Sequence, residues 1–374
     1  MNLPKQYLII WLLCAFLFAL ILGATNYVID PLKYYHTEPG TREITGFEQS
    51  HKVWQVKMRQ PDTLVLGNSR NLYGFDVSQL MKKNAFNYSF PGPSIEEVEQ
   101  QFDNVLYSTN VNSIFLVVDG ICSSPIASKR DISFLFSNKL NWLAAEFLRA
   151  KYLISLSTVK STFRAFGEPV FYDNFGRRTS FEFGKQSGTT ISERVKVREG
   201  YALKNRSNKS CSTDVFERLL VKAYSSGISI ALILNPIHNR YKFIQANKSN
   251  MKFKPTNMRK ILVEKNALVA TRLNKKPLPI YDFNLVNQYT AEPFDLINDS
   301  EPTYWWESSH YKKALGDKLI DWINATEDKR DHSIGVAITQ ENIDQHIETQ
   351  SNLLLQWQKA RPEVVKKLLD SING

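Results

Sequence analysis

The chain has 374 residues, 43% hydrophobic and 12% aromatic, which excludes an intrinsically disordered protein and supplies one large or two modest cores. Lys and Arg outnumber Asp and Glu by 47 to 37, a net charge of +10 that favours an anionic partner without naming one. Between Lys5 and Asp30 lie 24 residues without a formal charge, which argues against a purely cytosolic enzyme.

Residues 1–30 are long enough to cross a bilayer core of ~30 Å at helical rise, and longer than the ~7–15 apolar residues of a secretory leader. The segment reads as an uncleaved single-pass anchor, and a signal peptide cut near Leu22-Gly23-Ala24 is the alternative. Either reading puts the chain beyond Asp30 across a membrane, although Lys5 on one side against Lys33 on the other gives only a weak orientation bias.

Residues 31–61 form a connector and a first helix over 48–59. Strands are then expected at 62–67, 85–89, 113–119, 228–235 and 279–283. Helices are expected at 76–83, from 93 onward, and at 212–226, 256–271 and 311–323. Ser94 and Glu97 have capping-box spacing. Short, wholly apolar strands alternating with helices predict an α/β domain over 62–325, a three-layer doubly wound parallel sheet. The crossover 121–227 is far longer than one helix needs and reads as an insertion that caps the sheet edge, with a helix over 138–160. From 326 to 374 a helical tail is expected, with Thr339 capping a helix that carries Ile343, Ile347, Leu354 and Trp357, and Pro362 starting another.

Of the three cysteines Cys14 lies in the anchor, and Cys122 and Cys211 are either paired or two buried thiols. The sequence has no Cys/His cluster, so it implies no metal site and no soluble cofactor.

In doubly wound folds reactive groups sit at the carboxyl ends of strands, here the loops starting at Gly67, Ser89, Asp119, Asn235 and Phe283. The first strand runs into Gly67-Asn68-Ser69-Arg70, which places a serine at a strand-to-helix turn. Far downstream, Trp305-Trp306-Glu307-Ser308-Ser309-His310-Tyr311 carries a carboxylate and an imidazole three residues apart. An imidazole can take the serine proton while a carboxylate orients the ring. Asn68, Arg70 and His238 flank these positions as candidate substrate contacts, and Gly92, with the Ser69 and neighbouring amides, as candidate oxyanion donors. Tyr304, Trp305, Trp306 and Tyr311 read either as a sugar-stacking wall or as core.

At residues 62–71, 87–97, 115–120 and 306–316 the chain resembles the SGNH (GDSL-like) hydrolase and acyltransferase superfamily, whose flavodoxin-like sheet carries a serine after strand one and an Asp-x-x-His near the end. More narrowly it looks like membrane-anchored bacterial members that acylate cell-surface polymers, such as the D-alanyl transfer protein and the alginate acetylation proteins. The chain departs from that pattern at Glu307, where the family has Asp, with Asp299 and Asp295 as reserves. It departs again at Asp119, where the family has an oxyanion-binding Asn and a carboxylate suits a structural contact.

The resemblance implies a serine O-acyltransferase that moves an acyl group, with acetyl expected, onto an exported or surface polysaccharide through an acyl-Ser69 intermediate. It also implies a periplasmic domain on the cytoplasmic membrane and an integral membrane acyltransferase as partner. A carbohydrate esterase and a non-catalytic glycan-binding subunit are the alternatives. Two basic runs carry most of the excess charge: residues 177–209 with nine cations against three acids, and residues 240–276 with eleven against one. They read as solvated faces or as a surface for anionic headgroups or polysaccharide. Nothing in the chain has a nucleic-acid-binding signature.

Overall fold

The computed structural model describes residues 3–37, 48–81, 84–122, 139–167, 172–183, 188–204, 212–247 and 255–373. Cys211, residues 82–83 of the expected helix 76–83, and parts of both basic runs lie outside the described residues.

The chain begins with helix α1 (Leu3–Ile29), followed by α2 (Glu48–Arg59), β1 (Thr63–Leu66), α3 (Ser69–Gly74), β2 (Ala85–Asn87), α4 (Ile95–Ser108) and β3 (Ser113–Val117). The β3–β4 connection carries α5 (Lys139–Leu153), α6 (Leu156–Gly167), α7 (Ser180–Phe183), α8 (Ile191–Lys204) and α9 (Asp214–Ser225). Then come β4 (Ser229–Leu234), α10 (Asn239–Asn247), α11 (Pro255–Arg272), β5 (Ile280–Asp282), α12 (Lys313–Asn324), β6 (Val336–Ala337), α13 (Ile343–Ala360) and α14 (Pro362–Asn373).

The strands form one six-stranded sheet in the order β2-β1-β3-β4-β5-β6. β1 to β5 are parallel, and β6 runs antiparallel to β5. Because side chains alternate across a strand, a continuous apolar run feeds two cores. Leu64, Leu66, Ile114, Leu116, Ile230 and Leu232 face Trp54 of α2, Phe102 of α4, Phe216 of α9 and Leu262 of α11. Val65, Phe115, Val117, Ala231 and Ile233 face Phe75 and Leu315, Leu319 and Trp322 of α12. Each such side chain contributes ~1.5–3 kcal/mol by leaving water.

Three local expectations change. Helix 76–83 is reduced to a single 3-10 turn at Val77–Gln79, which the Asp76 carboxylate caps by accepting the Ser78 N–H and which ends where Leu80 becomes extended. Helix 138–160 is two helices broken at Ser155, whose hydroxyl accepts from the Ser157 N–H and starts α6. The tail opens on strand β6, too short at two residues to leave a periodic pattern. The Ser94–Glu97 capping box forms at the head of α4.

Several described cations of the two basic runs are ion-paired within the fold. Arg177 pairs with Asp173 and Glu182, Arg194 with Glu301, Arg240 with Glu199, Arg259 with Asp282 and Lys265 with Glu217. Lys242 is half-buried with its Nζ donating to the Leu285 carbonyl, and the loss of water around the ammonium holds its pKa well below the ordinary lysine value. Most of their partners lie outside the runs, so the local count overstates the free surface charge.

Helix α1 is long and apolar enough to cross a membrane, with mean hydropathy 2.7 over an 18-residue stretch of Lys5–Ile29 and none of that stretch buried, properties that a signal sequence shares. Cys14 on this helix is a free, exposed thiol, and Cys122 is disulfide-bonded.

Candidate active site

The site grows from the carboxyl end of β1. After Leu66 the chain turns through Gly67 and Asn68, whose Oδ1 accepts the Arg70 N–H at 2.9 Å and caps α3. Ser69 is therefore the first residue of a helix, and its N–H has no hydrogen-bond partner among the described residues. Such a free amide can bind a developing oxyanion.

Helix α3 lies unusually close to α12 because glycine stands on both sides. A Cβ on Gly316 would sit 1.8 Å from the Gly74 carbonyl oxygen, and one on Gly74 would sit 2.1 Å from the Tyr311 ring. This approach brings Ser69 to the segment that leads into α12. There Trp305 and Tyr311 form an antiparallel bridge, and the Trp306 N–H donates to the His310 carbonyl at 2.9 Å. The tight loop between them presents Glu307 and His310 together.

His310 Nε2 lies 2.7 Å from Ser69 Oγ, and Nδ1 is hydrogen-bonded to Glu307 Oε1. Glu307 Oε2 accepts the Ser309 N–H at 2.7 Å, so both carboxylate oxygens are held. Glu307 therefore occupies the orienting position despite its extra methylene. Asp299 instead accepts from the Ser192 N–H, and Asp295 caps the exposed turn to Asn298. Burial pushes the His310 pKa down from 6.5, the Glu307 carboxylate opposes this, and Arg198 and Arg70 add to the lowering. The imidazole is thus neutral at pH 7 and able to accept a proton.

A buried polar network fixes the two halves. Asp119, after β3, accepts from Asn68 Nδ2 at 2.6 Å, Arg70 Nη1 at 2.9 Å, and the Asn235 N–H and Nδ2 at 2.7 and 2.8 Å. Tyr311 Oη donates to Asn235 Oδ1 at 3.1 Å. From α3, Arg70 Nε donates to the Ser309 carbonyl at 3.2 Å and Nη2 to Ser309 Oγ at 3.1 Å. Arg70 spends three of its five N–H donors, and Asn68 its Oδ1 and one Nδ2 hydrogen, on these contacts, so both residues position the site. Asp119 is structural.

His238 is also structural. It is buried, stacked on Phe294 at 4.2 Å, with Nε2 on the Glu292 carbonyl at 2.7 Å and Nδ1 accepting the Arg240 N–H. With both ring nitrogens occupied it has none left for a substrate. Gly92 is exposed at φ 57° in the loop after β2. Trp305 and Tyr311 are core, whereas Trp306 is half-buried and stacks on Phe181 at 5.2 Å.

Over the imidazole lies a cleft of about 520 Å³ lined by Phe181, Arg194, Arg198, Tyr201, Glu307 and His310 among others. Phe181 belongs to α7, and Arg194, Arg198 and Tyr201 to α8, so the long β3–β4 connection builds the wall opposite the sheet. Arg198 Nη2 donates to Ser309 Oγ at 2.9 Å, and its Nε lies 3.9 Å from Glu307 and makes no hydrogen bond. Sequence reasoning missed Arg198 and Phe181, which carry no local signal. The rule of strand ends marked the Asp119 and Asn235 loops without revealing their pairing.

Among the described residues no group of three or more His, Cys, Asp and Glu side chains could hold a metal ion. In comparison with known proteins, no family model and no curated protein matches this chain.

Proposed function

We propose that the protein is a membrane-anchored, extracytoplasmic SGNH-type serine O-acyltransferase that acylates an exported or surface polysaccharide. The observation that carries the reading is the Ser69–His310–Glu307 relay at the carboxyl edge of a parallel sheet. His310 Nε2 takes the Ser69 hydroxyl proton as Oγ attacks the acyl carbonyl, and Glu307 stabilises the imidazolium. The tetrahedral oxyanion is met by the Ser69 N–H, and the departing group takes the proton from Nε2 as the acyl–Ser69 ester forms. An acceptor hydroxyl then gives its proton to Nε2, attacks the ester carbon and takes the acyl group. Ser69 Oγ leaves and recovers the proton.

The aromatic faces of Trp306 and Phe181 beside the histidine suit a sugar ring, and the Arg198 guanidinium lines the same cleft. The apolar α1 and the disulfide at Cys122 support a position outside the cytoplasm. An integral membrane acyltransferase that hands the acyl group across the bilayer is the expected partner.

The test is to incubate the purified full chain in detergent with an activated acetyl ester and an oligosaccharide acceptor, separating transfer from hydrolysis by mass spectrometry. Acetylated oligosaccharide formed by the wild type and absent with Ser69→Ala supports the reading. Hydrolysis alone would assign an esterase, and transfer undiminished in Ser69→Ala would overturn both.

A further inference from the structure

The β3–β4 connection carries a second feature that the relay does not use. Helices α5 and α6 pack against α1. Asn26 Nδ2 donates to the Leu153 carbonyl at 2.7 Å and reaches the Ser155 carbonyl, so the α5–α6 corner is tied to the last turns of α1. The α1 residues that lose exposure, Ala19, Leu22, Gly23, Asn26 and Ile29, lie on one helical face as a single stripe. Gly23 faces Leu153, where a Cβ would make ordinary contact at 3.9 Å.

Depth follows from length. Starting at Lys5, ~20 helical residues traverse the ~30 Å hydrocarbon core and reach the level of Thr25 and Asn26. The part of the stripe from Ala19 to Asn26 therefore occupies the last part of that core and its edge. At the same end of α1, Tyr27 is 47% exposed and packs at 5.3 Å on Tyr35, whose ring has the Arg149 guanidinium 4.3 Å away. Aromatic residues with cations gather where a membrane meets water.

The outer sides of α5 and α6 are apolar. Leu143, Phe147, Ile154, Leu156 and Phe163 are 59%, 71%, 60%, 64% and 73% exposed. Glu146, the one acid of the two helices, is turned inward onto Lys57 and Arg149, while Lys151 and Lys160 are exposed. Paired helices with bulky apolar residues outward, free lysines and no free acid have the chemistry of an element lying in the membrane interface.

We infer that α5 and α6 form a monotopic hairpin whose exposed apolar residues insert into the leaflet at the carboxyl end of α1, with the lipid bilayer as ligand. The inference rests on the proposed reading of α1 as an anchor. Together they attach the domain along two lines, which fixes its orientation over the membrane where a single helix would let it swivel.

The test uses the full chain reconstituted into phosphatidylcholine–phosphatidylglycerol vesicles, carrying one environment-sensitive thiol label. The native Cys14 reports the anchor. Phe147→Cys and Phe163→Cys, in a Cys14→Ser background, report the hairpin. Met81→Cys, 83% exposed on the opposite face of the sheet from α2, is the aqueous control. Doxyl-lipid quenching of the 147 and 163 labels, comparable to Cys14 and several-fold above Met81, is the expected result. Labels at 147 and 163 that iodide quenches and lipid does not, with Cys14 still quenched by lipid, would overturn the hairpin and leave the anchor. Labels shielded from both quenchers would assign the face to a second copy and also overturn it. If Cys14 itself escapes lipid quenching, the anchor reading fails and the hairpin falls with it.

Discussion

Replacing Glu307 with Gln isolates what the carboxylate does. One oxygen accepts from His310 Nδ1 and the other accepts the Ser309 N–H. A carboxamide has a single acceptor oxygen. If that oxygen stays on Ser309, the amide nitrogen faces His310 Nδ1 and forces the proton onto Nε2, where it points at Ser69 and cannot act as base. If the carboxamide flips, its NH2 meets the Ser309 N–H, donor against donor, in a site where Glu307 is 3% exposed. Either arrangement also removes the charge that opposes burial at His310 and leaves Arg198 and Arg70 bearing on the ring. The wrong tautomer in such a relay lowers the rate by about 10⁴-fold, near 5 kcal/mol of barrier. The assay is the single-turnover rate of acyl–Ser69 formation from an activated ester, followed by intact-protein mass spectrometry, with a thermal melt to show that the variant folds. A loss of less than tenfold in a folded variant would refute the assignment of Glu307 as the orienting acid.

Other expectations follow from the packing around the site. Burial holds the pKa of His238 and of His51 at about 3, so folding favours their neutral forms. Their contribution is complete above the ordinary histidine value of ~6.5 and is lost as pH falls toward 3, so the melting temperature should drop steadily between pH 6.5 and 4. An unchanged melt over that interval would contradict the buried, neutral assignment. Asp119→Ala leaves Arg70 unpaired at 12% side-chain exposure and orphans donors of Asn68 and Asn235, so it should destabilise by about 3–5 kcal/mol in thermal or denaturant melts. Gly316→Ala drives a methyl into the Gly74 carbonyl and should cost about 1–3 kcal/mol or more while parting Ser69 from His310. Wild-type stability and acylation in that variant would show that the α3–α12 contact does not position the serine.

What the sequence revealed, and what it hid, has physical reasons. Wholly apolar runs such as 64–66 and 114–118 are legible as buried parallel strands because both faces need hydrophobic residues. β6 is not legible, since two residues carry no period. Ser69 and His310 could be picked out because each sits at a chain position that topology brings to one sheet edge. Arg198 and Phe181 could not, because they reach the cleft only through the tertiary path of a long connection. Arg70 read as a possible substrate contact because its Ser309 and Asp119 partners lie 239 and 49 residues away. The basic runs misled for the same reason. Asp282, Glu301 and Glu217 neutralise them from outside the counted windows.

The central claim is that His310 activates Ser69, and the most direct measurement is the site of covalent capture. The full chain would be treated with a serine-reactive fluorophosphonate, digested, and mapped by mass spectrometry. The account predicts one adduct, on Ser69, whose rate of formation collapses in His310→Ala. An adduct confined to another residue, or Ser69 labelling at the wild-type rate in His310→Ala, would contradict it.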